Sequence, residues 1–388
     1  MRVPYMTMLF WLALSTLILT TLAALDLCIG NRSVRALRDV SPVPVPASPR
    51  VSIIVAARNE QRNIRAALQS LLDLAYTDYE LIVVNDRSED TTGSILDDMA
   101  RIHTRLQIIH VADLPAGWLG KNHALWIGSQ QATGELLLFT DADIIMEPTV
   151  VSRAVTFLDR NGLAHLAATP SMRMPNALLG MFGAAFLVIF SLFARPWKAR
   201  DPTSRCHIGI GAFNLVRSAA YRQVGGHETI RLRPDDDLKL GKIIKQSGFS
   251  QEAVYAPEFL AVEWYASLRE VITGLEKNAF SGADYNVLLV LAGVLCQMLC
   301  SIWPFLAVLL VSGVPRSLYL VTVLLILLTV ADAARFHLSR PWYAVGYPLM
   351  SLLFVYILVR TMLLNVIQGG IHWRGTFYSL QELKSNRV

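Results

Sequence analysis

Acidic residues gather in this chain where apolar runs stop. Residues 134–148 read GELLLFTDADIIMEP, so that Leu136–Phe139 run directly into Asp141 and Asp143. Two carboxylates this close repel each other unless a cation or strong donors compensate them. A carboxylate pair with a lysine nearby suits a divalent cation bridging a diphosphate, since a hard cation takes oxygen ligands and keeps phosphates among them. Further along, RPDDDLKLGKII sets Asp235, Asp236 and Asp237 before a helical pattern of Leu238, Leu240, Ile243 and Ile244. Acids there either cap the helix, at its positive end, or take part in chemistry.

The elements that must hold these residues alternate. VSIIVAA (51–57), ELIVVND (80–86), LQIIHV (106–111) and ELLLFT (135–140) read as buried strands. Between them EQRNIRAALQSLLDL, SEDTTGSILDDMARI and KNHALWIGSQQA read as helices, the first with Ile64, Ala67, Leu68, Leu71 and Leu72 on one face. Such alternation predicts an α/β fold with a mainly parallel sheet covered on both faces. Ligands of open sheets bind beyond the carboxyl ends of the strands. Every polar cluster falls at such an end: Arg58-Asn59-Glu60, then Asp86 to Asp90, Gly120-Lys121, and Asp141-Ala142-Asp143. With neither a P-loop nor a G-x-G-x-x-G, kinase-type and dinucleotide sites are disfavoured.

Composition sets the surroundings. Hydrophobic residues make up 53% and charged residues 17%, with a mean hydropathy of +0.42, too apolar for a wholly soluble protein. The cysteines at 28, 206, 296 and 300 have neither disulfide nor zinc spacing, and the last two are expected as buried thiols. A net charge of +5 without a dense basic run points away from nucleic acid. Residues 5–25 form an uncharged run long enough to span a bilayer, so 1–30 is expected as an N-terminal anchor. Arg32, Arg35, Arg38 and Arg50 follow it, which predicts a cytoplasmic location for what comes next. The Pro-rich 31–50 reads as a linker, stiff over 41–49. A catalytic domain is expected over 51–285, about three transmembrane helices over 286–367, and a tail over 368–388. Residues 177–194 are apolar enough to cross as well, but a crossing there would part Asp141 from Asp237. An interfacial helix is the expectation, with Arg195, Trp197, Lys198 and Arg200 at the headgroups.

Taken together, VSIIVAARNE, VVNDRSEDTT, GWLGKNHAL, LLLFTDAD, GAFNLVRSAAYRQVGG and PDDDLKLGKIIKQSGF resemble, in order and spacing, the motifs of membrane-anchored family 2 glycosyltransferases. The likeness is to members that glycosylate lipids, such as ceramide glucosyltransferase and the bacterial carotenoid and hopanoid-associated enzymes. It covers roughly residues 50–285 and implies a GT-A type nucleotide-sugar-binding domain flanked by transmembrane α-helices. It also implies that Ala57, Arg58, Glu60, Asp86, Lys121 and Asp141 hold the nucleotide sugar, with Asp86 receiving the base. Asp143, with Asp141, would bind Mg2+ or Mn2+. Asp237 would be the general base, although the motif leaves the choice among Asp235, Asp236 and Asp237 open by one position. Gly211, Ala212, Asp236 and Lys277 would lie on the acceptor side, the small residues leaving room near the sugar. The implied reaction is inverting transfer of a sugar, UDP-linked by expectation, to a membrane lipid. The expected partners are that donor, the lipid acceptor and the bilayer, at the inner membrane of a bacterium.

Processive relatives carry Gln-x-x-Arg-Trp after the base, whereas Gly274, Lys277 and Asn278 stand at those places here. That departure disfavours the second reading, a polysaccharide synthase. A third reading is a membrane scaffold that kept the fold and lost catalysis, which the full set of aspartates disfavours.

Overall fold

The computed structural model describes residues 2–42 and 48–388, and the centre of the Pro-rich spacer lies outside the described residues. The chain opens with a long helix, α1 (Arg2–Ser33), and forms two compact units. One unit holds Val34–Arg173, Pro196–Glu263 and Gln381–Val388; the other holds the chain up to Ser33, Met174–Arg195 and Trp264–Leu380.

In the first unit strands and helices alternate as expected. After β1 (Arg35–Ala36) come β2 (Val51–Ala57), α2 (Ile64–Leu72), β3 (Tyr79–Asp86), α3 (Thr92–Ala100), β4 (Leu106–Val111), α4 (Gly120–Gln131) and β5 (Leu136–Asp141). Then follow β6 (Ile144–Met146), α5 (Val150–Arg160), β7 (His165–Thr169) and β8 (Ser171–Arg173). A helix of the other unit, α6 (Ala177–Ala194), intervenes. The chain resumes with β9 (Asn214–Arg217), α7 (Ser218–Gln223), α8 (Gly226–Thr229), α9 (Asp236–Gln246), β10 (Gln251–Tyr255) and β11 (Leu260–Glu263).

Eight strands form one sheet in the order β1-β10-β7-β9-β5-β2-β3-β4, parallel except where β9 runs against β5 and β7. Successive residues of β2 face opposite layers: Ile53 and Val55 join the core under α2 and α5, while Ile54 joins Val84 and Leu125 under α4. Burial on both faces accounts for the unbroken apolar run of this strand. Helix α2 buries Ile64, Ala67, Leu68 and Leu71, one stripe at helical spacing. The register aligns the strand ends: Ala56 lies opposite Asp141, and Ala57 opposite Asn85. A small second sheet, β6-β11-β8, packs its apolar residues into the same core.

Some boundaries differ from the sequence expectation. Arg35 and Ala36 fall within the segment expected as a linker, yet they pair with β10 at the sheet edge. Residues 264–285 group with the apolar helices rather than with the sheet.

The second unit continues with α10 (Leu268–Ala279), α11 (Val287–Gln297), a π turn over Met298–Ile302 and α12 (Trp303–Leu310). After these come α13 (Val314–Ala334), α14 (Tyr347–Gln368), the hairpin β12 (Gly370–Trp373) and β13 (Thr376–Ser379), and α15 (Leu380–Ser385), whose length lies mostly in the first unit. Among the described residues, five helical segments are long and apolar enough to cross a membrane: Thr7–Ser33, Ala177–Lys198, Val287–Leu310, Val314–His337 and Pro341–Gln368. The second of these is the segment expected to lie in the interface. Strand β7 before it and strands β9 and β10 after it are hydrogen-bonded neighbours in one sheet, so its two flanks belong to one body. Of its expected headgroup residues, Arg195 pairs with Asp26 at 3.0 Å, and Trp197 is buried. Cys296, expected as a buried thiol, is exposed.

Candidate active site

The site is assembled from strand ends and from the loop entering α9. The loops after β2 and β3 are stitched together by reciprocal bonds. Asn59 N–H donates to Ser88 Oγ (3.1 Å), Glu60 N–H to Thr92 Oγ1 (2.8 Å), and Gln61 N–H to Asp90 Oδ2 (3.2 Å). In return Glu89 N–H donates to Asn59 Oδ1 at 2.8 Å. Asp90 thus ties two loops together as well as receiving Thr92 N–H at the start of α3.

This stitching fixes Arg58 and Asp86. Asp86 is buried, and the fork of Arg87 grips it, Nε to Oδ1 at 2.7 Å and Nη2 to Oδ2 at 3.1 Å. Arg58 Nη1 stands 3.9 Å from Asp86 Oδ2. Gly120 closes over this pair: a Cβ there would come within 2.2 Å of Asp86 Oδ2 and 2.7 Å of Arg87 Nη2. Beside it, burial and the Arg87 charge lower the proton affinity of the His123 imidazole, outweighing the pull of Asp86.

Lys121, next to Gly120 in the first turn of α4, reaches to the other side. Its Nζ lies 2.8 Å from Asp141 Oδ1 and 3.3 Å from Asp236 Oδ2. Burial lowers its affinity for the proton, but Asp141, Asp236 and Asp237 outweigh that and hold the ammonium far above its ordinary range. The structure thus brings Lys121, Asp141, Asp236 and Asp237 together around a small recess, whose wall also includes Gly211, Asn214 and His227.

The three aspartates before α9 have separate surroundings. Asp235 meets Arg233 Nε at 3.3 Å and Lys239 Nζ at 3.5 Å, all three being buried. It sits at the N-cap position without a side-chain cap bond, so the expected capping role gives way to a buried ion trio. Asp236 pairs with Lys121. Asp237 accepts from Gly211 N–H at 2.8 Å and from Leu238 N–H at 2.8 Å. Burial first, and then the Asp236 charge, push its carboxyl up to about 7. Asp143 is likewise pushed up to about 7, by burial and then by Asp141 and Glu60. Asp141 and Glu60 thus make their charge felt at Asp143, but among the described residues no three His, Cys, Asp or Glu side chains form a set that could hold a metal ion.

Two acceptor-side expectations are revised. Gly211 does leave room, but for a carboxylate: a Cβ would meet Asp141 Oδ2 at 2.5 Å. Its carbonyl accepts Asp141 N–H at 3.1 Å, so one glycine bridges Asp141 and Asp237. Ala212 packs in the core with Ala142 and Ile144, and its carbonyl takes Thr140 Oγ1–H at 2.8 Å. Lys277 belongs to the other unit, where its ammonium lies over Trp373.

Sequence reasoning missed Asn214 and His227. Asn214 Oδ1 accepts from Ile210 N–H at 3.1 Å, and burial keeps its partner His165 neutral. His227 bonds Tyr221 at 2.8 Å and meets Phe139 edge-on; burial and then Lys121 push it down to about 3. It is a wall residue held in the neutral form, which keeps one ring N–H.

A mainly parallel α/β sheet with charged side chains at its carboxyl edge is consistent with a GT-A type nucleotide-sugar-binding fold. Residues 52–225 match the family model described as glycosyl transferase family 2. That match gives the chain a glycosyl transferase family 2 domain, and the similar proteins named as glycosyltransferases agree with it. It is 25% identical over 229 residues to the poly-beta-1,6-N-acetyl-D-glucosamine synthase of Staphylococcus epidermidis, covering 59% of this chain and 52% of that protein. The chain thus spans about half the length of that relative. It is 22% identical over 278 residues to the 4,4'-diaponeurosporenoate glycosyltransferase of Staphylococcus haemolyticus, covering 70% of each. The mannosyltransferase PcManGT of Pyrobaculum calidifontis, solved with GDP-Man and Mn2+, superposes with a TM-score of 0.60 over 91% of this chain and 99% of that one. At 19% identity that likeness speaks for the fold alone.

Proposed function

We propose that the chain transfers a single sugar, with inversion, from a UDP-linked donor to a hydroxyl group of a membrane lipid, at the cytoplasmic face of a bacterial inner membrane. The acceptor oxygen attacks the anomeric carbon and gives its proton to Asp237; the bond to the diphosphate breaks and the nucleoside diphosphate leaves. The observation that carries this reading is the contrast among the three aspartates. Asp235 is tied to Arg233 and Lys239, and Asp236 to Lys121, whereas Asp237 is held by backbone N–H groups and has a raised affinity for a proton.

Ala57, Arg58, Glu60 and Asp86 would line the nucleoside side, with Lys121 and Asp141 toward the diphosphate. Asp143, with Asp141, would hold Mg2+ or Mn2+, an ion that offsets charge on the departing diphosphate. Among the described residues no three His, Cys, Asp or Glu side chains form a ready ligand set, so donor phosphates would complete the shell. Helix α6 would lie in the interface, because its flanking strands share a sheet.

The match to a polysaccharide synthase favours a second reading, processive transfer. Incubating membranes with radiolabelled UDP- and GDP-sugars and fractionating the products separates the two. A chloroform-soluble lipid carrying one added sugar from a UDP donor is expected. Label confined to insoluble polymer would favour the synthase, and no transfer from any donor would contradict both.

A further inference from the structure

Helices α1 and α13 run in parallel. Near one end Ala13 packs with Tyr319, and at the other Arg32 grips Asp332 with Nη1–Oδ2 at 2.7 Å and Nη2–Oδ1 at 2.8 Å. Ala13 and Arg32 are separated by roughly 28 Å of helix, about a bilayer's hydrocarbon thickness. Ser33 is followed directly by the unit that holds the sheet, so the Arg32 end of α1 is the end on the catalytic side. Asp332 is therefore on the catalytic side, and α13 runs toward it from the far side. The segment Val287–Leu310 supplies the outward crossing: Trp303 Nε1–H donates to Tyr319 Oη at 2.9 Å, and Ala307 joins Ala13 and Tyr319.

At Asp332 the chain is back on the catalytic side, with one long apolar segment, Pro341–Gln368, still to come. Its downstream end is also fixed. Asn386 Oδ1 accepts Leu232 N–H at 3.0 Å, its Nδ2–H donates to Thr229 carbonyl at 2.9 Å, and Val388 packs on the core beside Ile54. These contacts lie wholly within the catalytic unit, on the loop that leads to Asp235–Asp237. A single full crossing by α14 would carry the tail to the wrong side.

Charge placement agrees. Arg360, past the midpoint of α14, pairs with Glu276 of α10 at 2.7 Å, and α10 precedes the first outward span. An arginine at the centre of a spanning helix is costly and rare, whereas one near the interface keeps its headgroup and water contacts. Helix α14 packs against α6, α10 and α11 with Met350, Val355, Ile357 and Met362 buried, and turns Leu349, Leu352, Tyr356, Leu363 and Ile367 outward.

We infer that Pro341–Gln368 is not a membrane span: it enters and leaves on the catalytic side, with its outward apolar face set among the acyl chains of the near leaflet. The chain then has three crossings, by α1, Val287–Leu310 and Val314–His337. This inference rests on the helices being in a bilayer and is independent of the reaction proposed above.

Thiol accessibility tests it. With Cys28, Cys206, Cys296 and Cys300 changed to serine, single variants Thr203→Cys, Ser312→Cys, Ser339→Cys and Ser385→Cys are probed in right-side-out and inverted vesicles with a membrane-impermeant maleimide. Thr203→Cys, Ser339→Cys and Ser385→Cys should label from one side and Ser312→Cys from the other. Ser385→Cys labelling from the side of Ser312→Cys would overturn the inference alone. Ser312→Cys labelling with Thr203→Cys would remove the spanning helices themselves, and the inference with them. A fluorescent reporter fused after Val388 on the otherwise unaltered chain gives an independent reading: quenching from the catalytic side is expected, and quenching only from the far side would again overturn it.

Discussion

The two ends of the site hold their charge differently. At the end proposed for the nucleoside, Asp86 is matched by the fork of Arg87, with Arg58 close behind. At the end proposed for the reaction, Lys121 faces Asp141, Asp236 and Asp237, and Asp143 feels the charges of Asp141 and Glu60. The first arrangement is balanced and rigid, suited to recognising a neutral base through hydrogen bonds. The second carries excess negative charge in a desolvated place, which is unfavourable until a cation or a proton arrives. The imbalance marks where the substrate's own chemistry is needed.

The contrast can be broken from several directions. The largest effect on folding is expected at Asp235, which belongs to neither end. Asp235→Asn removes a counter-charge from buried Arg233 and Lys239, a loss of about 3–5 kcal/mol for a broken buried pair, readable as a lowered denaturation midpoint in detergent. A variant as stable as the parent would contradict the ion trio.

At the reacting end, Asp143→Ala should weaken divalent-dependent binding of a nucleoside diphosphate. Loss of a mere supporting group around a metal costs about ten- to a hundredfold, and loss of a ligand should cost at least that. Calorimetry with and without Mn2+ checks it; unchanged metal-dependent affinity in a folded variant would refute the assignment.

At the nucleoside end, Gly120→Ala forces a methyl group against the Asp86–Arg87 pair, 2.2 Å from Asp86 Oδ2. Overpacking of this kind costs about 1–3 kcal/mol, and nucleotide affinity should fall with little change in the pH dependence of transfer. Affinity equal to that of the parent would show that the pair does not contact the nucleotide.

The smallest effect concerns pH. The folded state raises the Asp237 carboxyl from its ordinary value to about 7, so ionising it opposes folding. That penalty is complete above about pH 7 and fades as pH falls through the range toward the ordinary carboxylate value. Asp237→Asn should therefore gain stability relative to the parent as pH rises from 5 to 8. A constant difference across that range would mean that the carboxylate is not desolvated as described. The sign is that of a functional group kept at some expense of stability.

Much of this was legible beforehand because it is local. Leu136–Phe139 feeding Asp141 fixes a strand end, and repetition of that pattern fixes a parallel sheet. What escaped is non-local. Strand β9 enters antiparallel between β5 and β7, and only that insertion brings Asn214 and Gly211 to the recess. Small residues at 211 and 212 were read as space for a sugar, whereas the structure gives Gly211 to Asp141 and Ala212 to the core. No spacing rule shows that Arg233 folds back on Asp235, or that Asn386 returns to Thr229 and Leu232.

The central claim is that Asp237 takes the acceptor's proton, and Asp237→Asn tests it most directly because the shape is nearly kept. Transfer and donor binding are measured on the same membranes with the radiolabelled donor. The account predicts that transfer falls by on the order of a hundredfold to ten-thousandfold while donor affinity, held by Asp86, Lys121 and the Asp141–Asp143 pair, stays within a few-fold. A variant that transfers sugar at the parental rate would contradict it.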